Sequence, residues 1–134
     1  MIVLGIVIGV PVFAATNPPA PVGDAAKINC VKLAVVAREL RLMTNLGNYQ
    51  RAVGNAYMAR ASALDQSYAT TSPAGVKVSV KNAWATFKTT TRSASKSWKT
   101  ERNATWKAYK DAAKICKAPS GVSDSNYSGY EPSL

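Results

Sequence analysis

Cys30 and Cys116 lie at equal distances from Pro73, which sits in the one turn-like break of the helical pattern, Thr70-Thr71-Ser72-Pro73-Ala74-Gly75. That symmetry predicts a long antiparallel helical hairpin whose open end a disulfide clasps, because two rods folding back about Pro73 bring the cysteines level. Two unrelated buried thiols are the alternative. The fold class read from the chain is all-α, coiled-coil-like.

The chain of 134 residues has room for one domain, with about ninety residues able to form regular structure. Residues 1–15 are apolar without a charge and end in Val12-Phe13-Ala14, which suits the small-residue rule of a signal peptidase. Cleavage is expected after Ala14 or Ala15. The run is shorter than the roughly 20 residues a simple membrane span needs; a retained anchor or filament-core segment is the other reading. No Lys or Arg precedes it, which leaves open a start upstream of Met1. An even cysteine pair behind an export signal favours a disulfide and an extracellular, cell-surface or periplasm-like location.

Residues 16–23 form a proline-rich spacer that cannot join a helix. The hairpin is expected over 24–117, with helices at about 24–69 and 72–117, Asp24 as N-cap of the first and Ser72 with Pro73 opening the second. Taking about 100° per residue, Ile28, Val31, Val35, Leu42, Leu46, Tyr49, Val53, Tyr57, Leu64 and Tyr68 share one side of the first helix. Val80, Trp84, Phe87, Thr91, Ala94, Trp98, Thr105, Tyr109, Ala112 and Cys116 advance in coiled-coil steps along the second. Val76-Lys-Val-Ser-Val80 alternates like a strand, the least helical stretch. Leu64 and Val80 are expected near the turn. Residues 118–134, rich in Ser and Gly, read as a flexible tail.

Facing residues of an antiparallel pair should have numbers summing to about 145. Glu39 and Arg102 come within one turn of this, on the apolar sides of their helices, and are expected to pair across the seam and penalise a slipped register. Two solvated charges on the helix edges are the alternative. Cys30 does not fit: it falls roughly 200° from Ile28. Either the helix is irregular before Val31, or it has a second buried side. Leu33, Ala34, Ala37 and Leu40 form a shorter apolar stripe there, and the second explanation makes Leu33, Ala37 and Leu40 a candidate self-association face. Ala83-Trp84-Ala-Thr-Phe87-Lys88 also recurs as Thr105-Trp106-Lys-Ala-Tyr109-Lys110, twenty-two residues on, which reads as helix periodicity rather than a domain repeat.

No reaction is written in the residues. The chain has no histidine, which removes the usual general base, the commonest metal ligand and the Ser-His and Cys-His nucleophiles. There is no Gly-rich phosphate loop, no Gly-x-Ser-x-Gly elbow, no zinc-like cysteine spacing and no cleft for a carboxylate pair. The expectation is a non-enzymatic protein with no catalytic residues, metal, cofactor or small-molecule substrate.

Charge is more informative. The net charge is +10, and the second helix carries eleven Lys or Arg against Glu101 and Asp111. Lysines that merely solvate the outer face of a long helix are one reading; because such a helix would normally interleave glutamates, the imbalance favours a polyanion partner: nucleic acid, acidic cell-wall polymer or lipid headgroups. Lys88, Lys96, Lys99, Lys107, Lys110 and Lys114 are the candidate contacts. Trp84, Trp98 and Trp106 could stack bases between lysines, but their place on the seam assigns them to the core. Tyr127 and Tyr130 are better placed for exposed stacking.

The run Cys30-Val-Lys-Leu-Ala-Val-Val-Ala-Arg38-Glu39, with Ala56-Tyr57, Arg60, Ala63-Leu64, Ala83-Trp84, Phe87, Trp106-Lys-Ala-Tyr109-Lys110 and Cys116, resembles the secreted, Ala/Trp/Lys-rich two-helix proteins of Patescibacteria, the candidate phyla radiation. The resemblance covers about residues 24–117 and implies an export signal, two long helices and terminal cysteines. It brings no activity or site residues. The functional expectation is therefore an exported structural or interaction protein of the surface or envelope that assembles as a homo-oligomer. Polyanion binding through the second helix is the rival reading.

Overall fold

The computed structural model describes residue 19, residues 21–132 and residue 134. The expected signal segment and half of the proline-rich spacer lie outside the described residues. Two long helices, α1 (Asp24–Tyr68, 45 residues) and α2 (Pro73–Cys116, 44 residues), pack along their whole length as an antiparallel hairpin. At about 1.5 Å per residue each is a rod of roughly 67 Å. A short 3-10 helix, η1 (Ser125–Tyr130), follows and rests on α2.

The termini follow local chemistry. Gly23, at φ 83°, turns the chain into α1, so Asp24 is the first helical residue rather than the cap, and its carboxylate meets Lys27 at 3.7 Å. Ser72 caps α2 by accepting from the Gly75 N–H, with Pro73 at the first position where no N–H is needed. Val76–Val80 is helical; the alternation there loses to the cap and to continuity with the aromatic stripe. At the far end Lys117 takes a left-handed conformation, φ 49°, which ends α2 and reverses the chain.

Cys30 and Cys116 are bonded, with Cα atoms 5.6 Å apart, and close the open end. Their agreement with one hairpin follows from where α1 buries itself. Val31, Arg38, Leu42, Ala56 and Ser67 are its buried residues. At 100° per residue these five fall within roughly 40° of one another, centred about 65° from Ile28. Ile28, Tyr57 and Tyr68 are about half or more exposed. The buried face is thus rotated away from the larger apolar residues, toward Cys30, and the helix needs neither irregularity nor a second buried side to explain the bond.

The seam changes character along its length. Toward the turn it is lined by Ala56, Ser67 and Ala83, whose small side chains let the helices approach; Leu64 and Val80 are half-buried there. Toward the open end Leu42, Trp106, Tyr109 and Ala113 form the core cluster, with Ala34 and Val35 against it. Between them Tyr49 meets Trp98 at 6.3 Å between centroids, and Asn45 Nδ2 donates to Thr105 Oγ1 at 3.2 Å.

The segment after α2 is not the free tail its composition suggests. Residues 118–132 fold back along the hairpin, anchored by Asp124, Ser128 and Pro132. Composition misses this because one carboxylate meeting one arginine leaves no pattern in the tail.

The disulfide closes a loop of 86 residues, so removing it should lower stability by about 4–5 kcal/mol. Urea unfolding of the Cys30→Ser/Cys116→Ser double variant should show this as a lower midpoint, with far-UV helicity in water largely kept.

Candidate functional site

Arg38 organises the open end. It projects from the buried face of α1 and is only 6% exposed, which no arginine sustains without partners. Its guanidinium carbon lies 4.3 Å from the Trp106 ring centroid and 4.4 Å from that of Tyr109. Four of its five N–H groups then donate to carboxylates. Nη1 and Nη2 donate to the two oxygens of Asp124 at 2.7 and 2.8 Å, while Nε and Nη2 donate to Glu39 Oε1 at 2.8 and 2.6 Å. The Tyr109 hydroxyl donates to Asp124 as well and contacts Ser123 at 3.1 Å. This is bidentate carboxylate recognition on an aromatic platform, and its ligand is the chain's own tail.

The expected pair of Glu39 with Arg102 is not formed. The rotation of α1 puts Arg38, not Glu39, on the seam, and Glu39 closes on its neighbour. Arg102 donates to Asn103 Oδ1 and to the Pro132 carbonyl at 3.2 Å. The cross-seam ion pair in this region is instead Arg41 with Glu101, at 3.9 Å and exposed, an arrangement that contributes little.

A second arginine repeats the device nearer the turn. Arg60 lies 4.7, 4.4 and 4.4 Å from the ring centroids of Tyr57, Trp84 and Phe87. Trp84, expected in the core, is 49% exposed, because it forms the outer wall of this cage; Trp98 and Trp106 are buried as expected. The recurrence of Trp84 and Phe87 as Trp106 and Tyr109 therefore marks two equivalent stations. A matching recurrence in α1 gives its meaning: Ala34-Val-Val-Ala37-Arg38 and Ala56-Tyr-Met-Ala59-Arg60, also twenty-two residues apart. In an antiparallel pair, equal spacings on both helices keep Arg38 opposite Trp106 and Arg60 opposite Trp84. Reading either helix alone hides this.

The candidate polyanion lysines fall on one flank of α2. Lys88, Lys96, Lys99, Lys107 and Lys114 are exposed. Lys96 and Lys99 line a shallow surface concavity with Arg92 and Asn103. Lys107 is held by Asp111 at 2.7 Å, and Lys110 reaches Ser128 Oγ at 3.4 Å, so these two are partly engaged within the molecule. Leu33, Ala37 and Leu40, the candidate self-association residues, are exposed on the outer side of α1. Tyr127 and Tyr130 are exposed and pack on each other at 5.7 Å. Among the described residues no cluster of His, Cys, Asp or Glu could hold a metal ion, and no helix is long and apolar enough to cross a membrane.

Comparison of the chain with protein-family models, curated proteins and solved structures found no match.

The Arg38 fork holds the Asp124 carboxyl below its ordinary 3.8, against the opposing effect of burial and with help from the Tyr109 hydroxyl. A depressed carboxyl contributes stability that is complete above the unfolded value and lost as pH falls through the folded one. Acidification below about pH 4 should release residues 118–132 from the hairpin before the helices unfold. The Asp124→Asn variant should show the same release at neutral pH, read as loss of amide-exchange protection in η1.

Proposed function

We propose that the chain is an exported, non-enzymatic structural or interaction protein of a cell surface or envelope, and that it associates with copies of itself through the outer face of α1. The supporting observation is a row at heptad spacing on that face. Leu33, Val36, Leu40 and Met43 are 61, 46, 62 and 69% exposed, with Ala37 beside them. Neither α2 nor the tail covers them. A continuous apolar row on a long helix is the kind of surface a partner helix buries. The disulfide supports an oxidising compartment.

Charge favours a second copy as the occupant. In an antiparallel pairing centred between Leu33 and Val36, Lys32 would stand against Glu39 of the partner subunit, twice by symmetry. One turn to either side, like charges would face each other instead. Light scattering of the full chain at high micromolar concentration should show a dimer, and Leu40→Glu should weaken association by more than about tenfold. Lys32→Glu should weaken it less. A strict monomer under these conditions would contradict the proposal.

A second reading is favoured by the basic flank of α2. From Lys77 to Lys117 its cations line one side of the helix, and among the described residues only Lys107 of them is within salt-bridge distance of a carboxylate. A straight row of this length suits a polyphosphate backbone such as duplex DNA. Affinity should then fall steeply with salt, and Arg92→Gln/Lys96→Gln/Lys99→Gln should lower the slope by roughly three counterions. Absence of binding at low salt ends this reading.

A further inference from the structure

The two arginine stations differ in one respect. At the first, Arg38 is buried beneath the tail, which supplies Asp124 to the guanidinium and Ser128 to Lys110. At the second, Arg60 is stacked on three rings, but among the described residues no carboxylate or other acceptor lies within hydrogen-bond distance of its guanidinium. Glu39 has no counterpart there, since Ala61 occupies the equivalent position. Lys88, the counterpart of Lys110, is exposed. Trp84 is about half exposed and Phe87 half-buried, where their counterparts Trp106 and Tyr109 lie buried. The second station therefore has the platform and the cation of the first without its ligand.

We propose that the Arg60 station is a binding site for an acidic peptide segment of a partner protein, which places an Asp or Glu carboxylate on the Arg60 fork and a Ser or Thr hydroxyl about four residues later near Lys88. Three observations carry this. The first station is an occupied example in the same molecule, with bidentate geometry at 2.7 and 2.8 Å. The aromatic stacking fixes the plane of the Arg60 guanidinium, so little further order is lost when a carboxylate arrives. The chain carries a net charge of +10, and Arg60 and Lys88 are both cations, which favours an acidic segment at this station. The chain's own tail does not serve, because it is tethered beside Arg38 and satisfied there. Phe87 stands where Tyr109 donates its hydroxyl, so the second site has one donor fewer and binds more weakly than the tail docks.

The test uses the full oxidised chain and a synthetic peptide of its residues 119–134 as the acidic probe. Titration is followed by the indole N–H resonance of Trp84, identified by its loss in Trp84→Phe. The proposal requires a saturable shift of that resonance, weakened by about tenfold or more in Arg60→Gln and in a peptide with Asn replacing Asp124, and partly kept in Arg60→Lys. Far-UV circular dichroism checks that the variants remain helical. No shift up to about 1 mM peptide, or a shift indifferent to either change, overturns it. So does a Trp84 shift given by duplex DNA but not by the peptide, which would assign the site to the basic flank instead.

Discussion

A hairpin of two helices has one seam and no third layer, so nothing except the seam itself prevents one rod from sliding along the other. The buried arginine of the open end is the constraint on which this structure depends. Alanines and serines let the helices close together but are nearly interchangeable under a shift of one turn. Arg38 is not interchangeable: moved by a turn, its charge would leave both the Trp106 and Tyr109 rings and the Asp124 carboxylate while still desolvated. Arg60 repeats the restriction nearer the turn, and the disulfide secures the end. Turn, two stations and cystine thus fix one register at four points along the rods.

The same arrangement explains which surfaces remain open. Because α1 turns Val31, Arg38 and Leu42 inward, Leu33, Val36, Leu40 and Met43 face outward over the first half of the helix. The tail fills the groove at the first station and leaves the second uncovered. Cations of α2 lie on the flank shared by both stations, away from the outer row of α1. A single rotational choice made by α1 therefore creates the candidate assembly face and brings Arg60 to the open aromatic cage together.

Much of this architecture was legible in the sequence. Ser72-Pro73 marks the turn by local cap chemistry, and the equal spacing of Cys30 and Cys116 about it marks the fold-back, because a disulfide requires the two positions to come level. The phase of α1 was not legible. Hydropathy weights Ile28, Tyr57 and Tyr68 above Ala56 and Ser67, whereas close approach of two helices selects small side chains. An arginine also counts as a surface residue in any apolar pattern, which hides Arg38 and points to its neighbour Glu39 instead. The tail's attachment was illegible for a different reason: it spans the same 86 positions as the disulfide, but one carboxylate meeting one arginine has no pairing signature comparable to two lone cysteines. The paired twenty-two-residue recurrences were the one available signal, and they become informative only when both helices are compared.

The central claim is that two arginines, stacked on aromatic faces, hold the helices in register. Side-chain proton NMR of the full oxidised chain tests it most directly, because protons over a ring face are shifted upfield. The δ and ε protons of Arg38 and Arg60 should resonate upfield of those of the other arginines. Finding all the arginines alike, at positions typical of solvated side chains, would contradict the account.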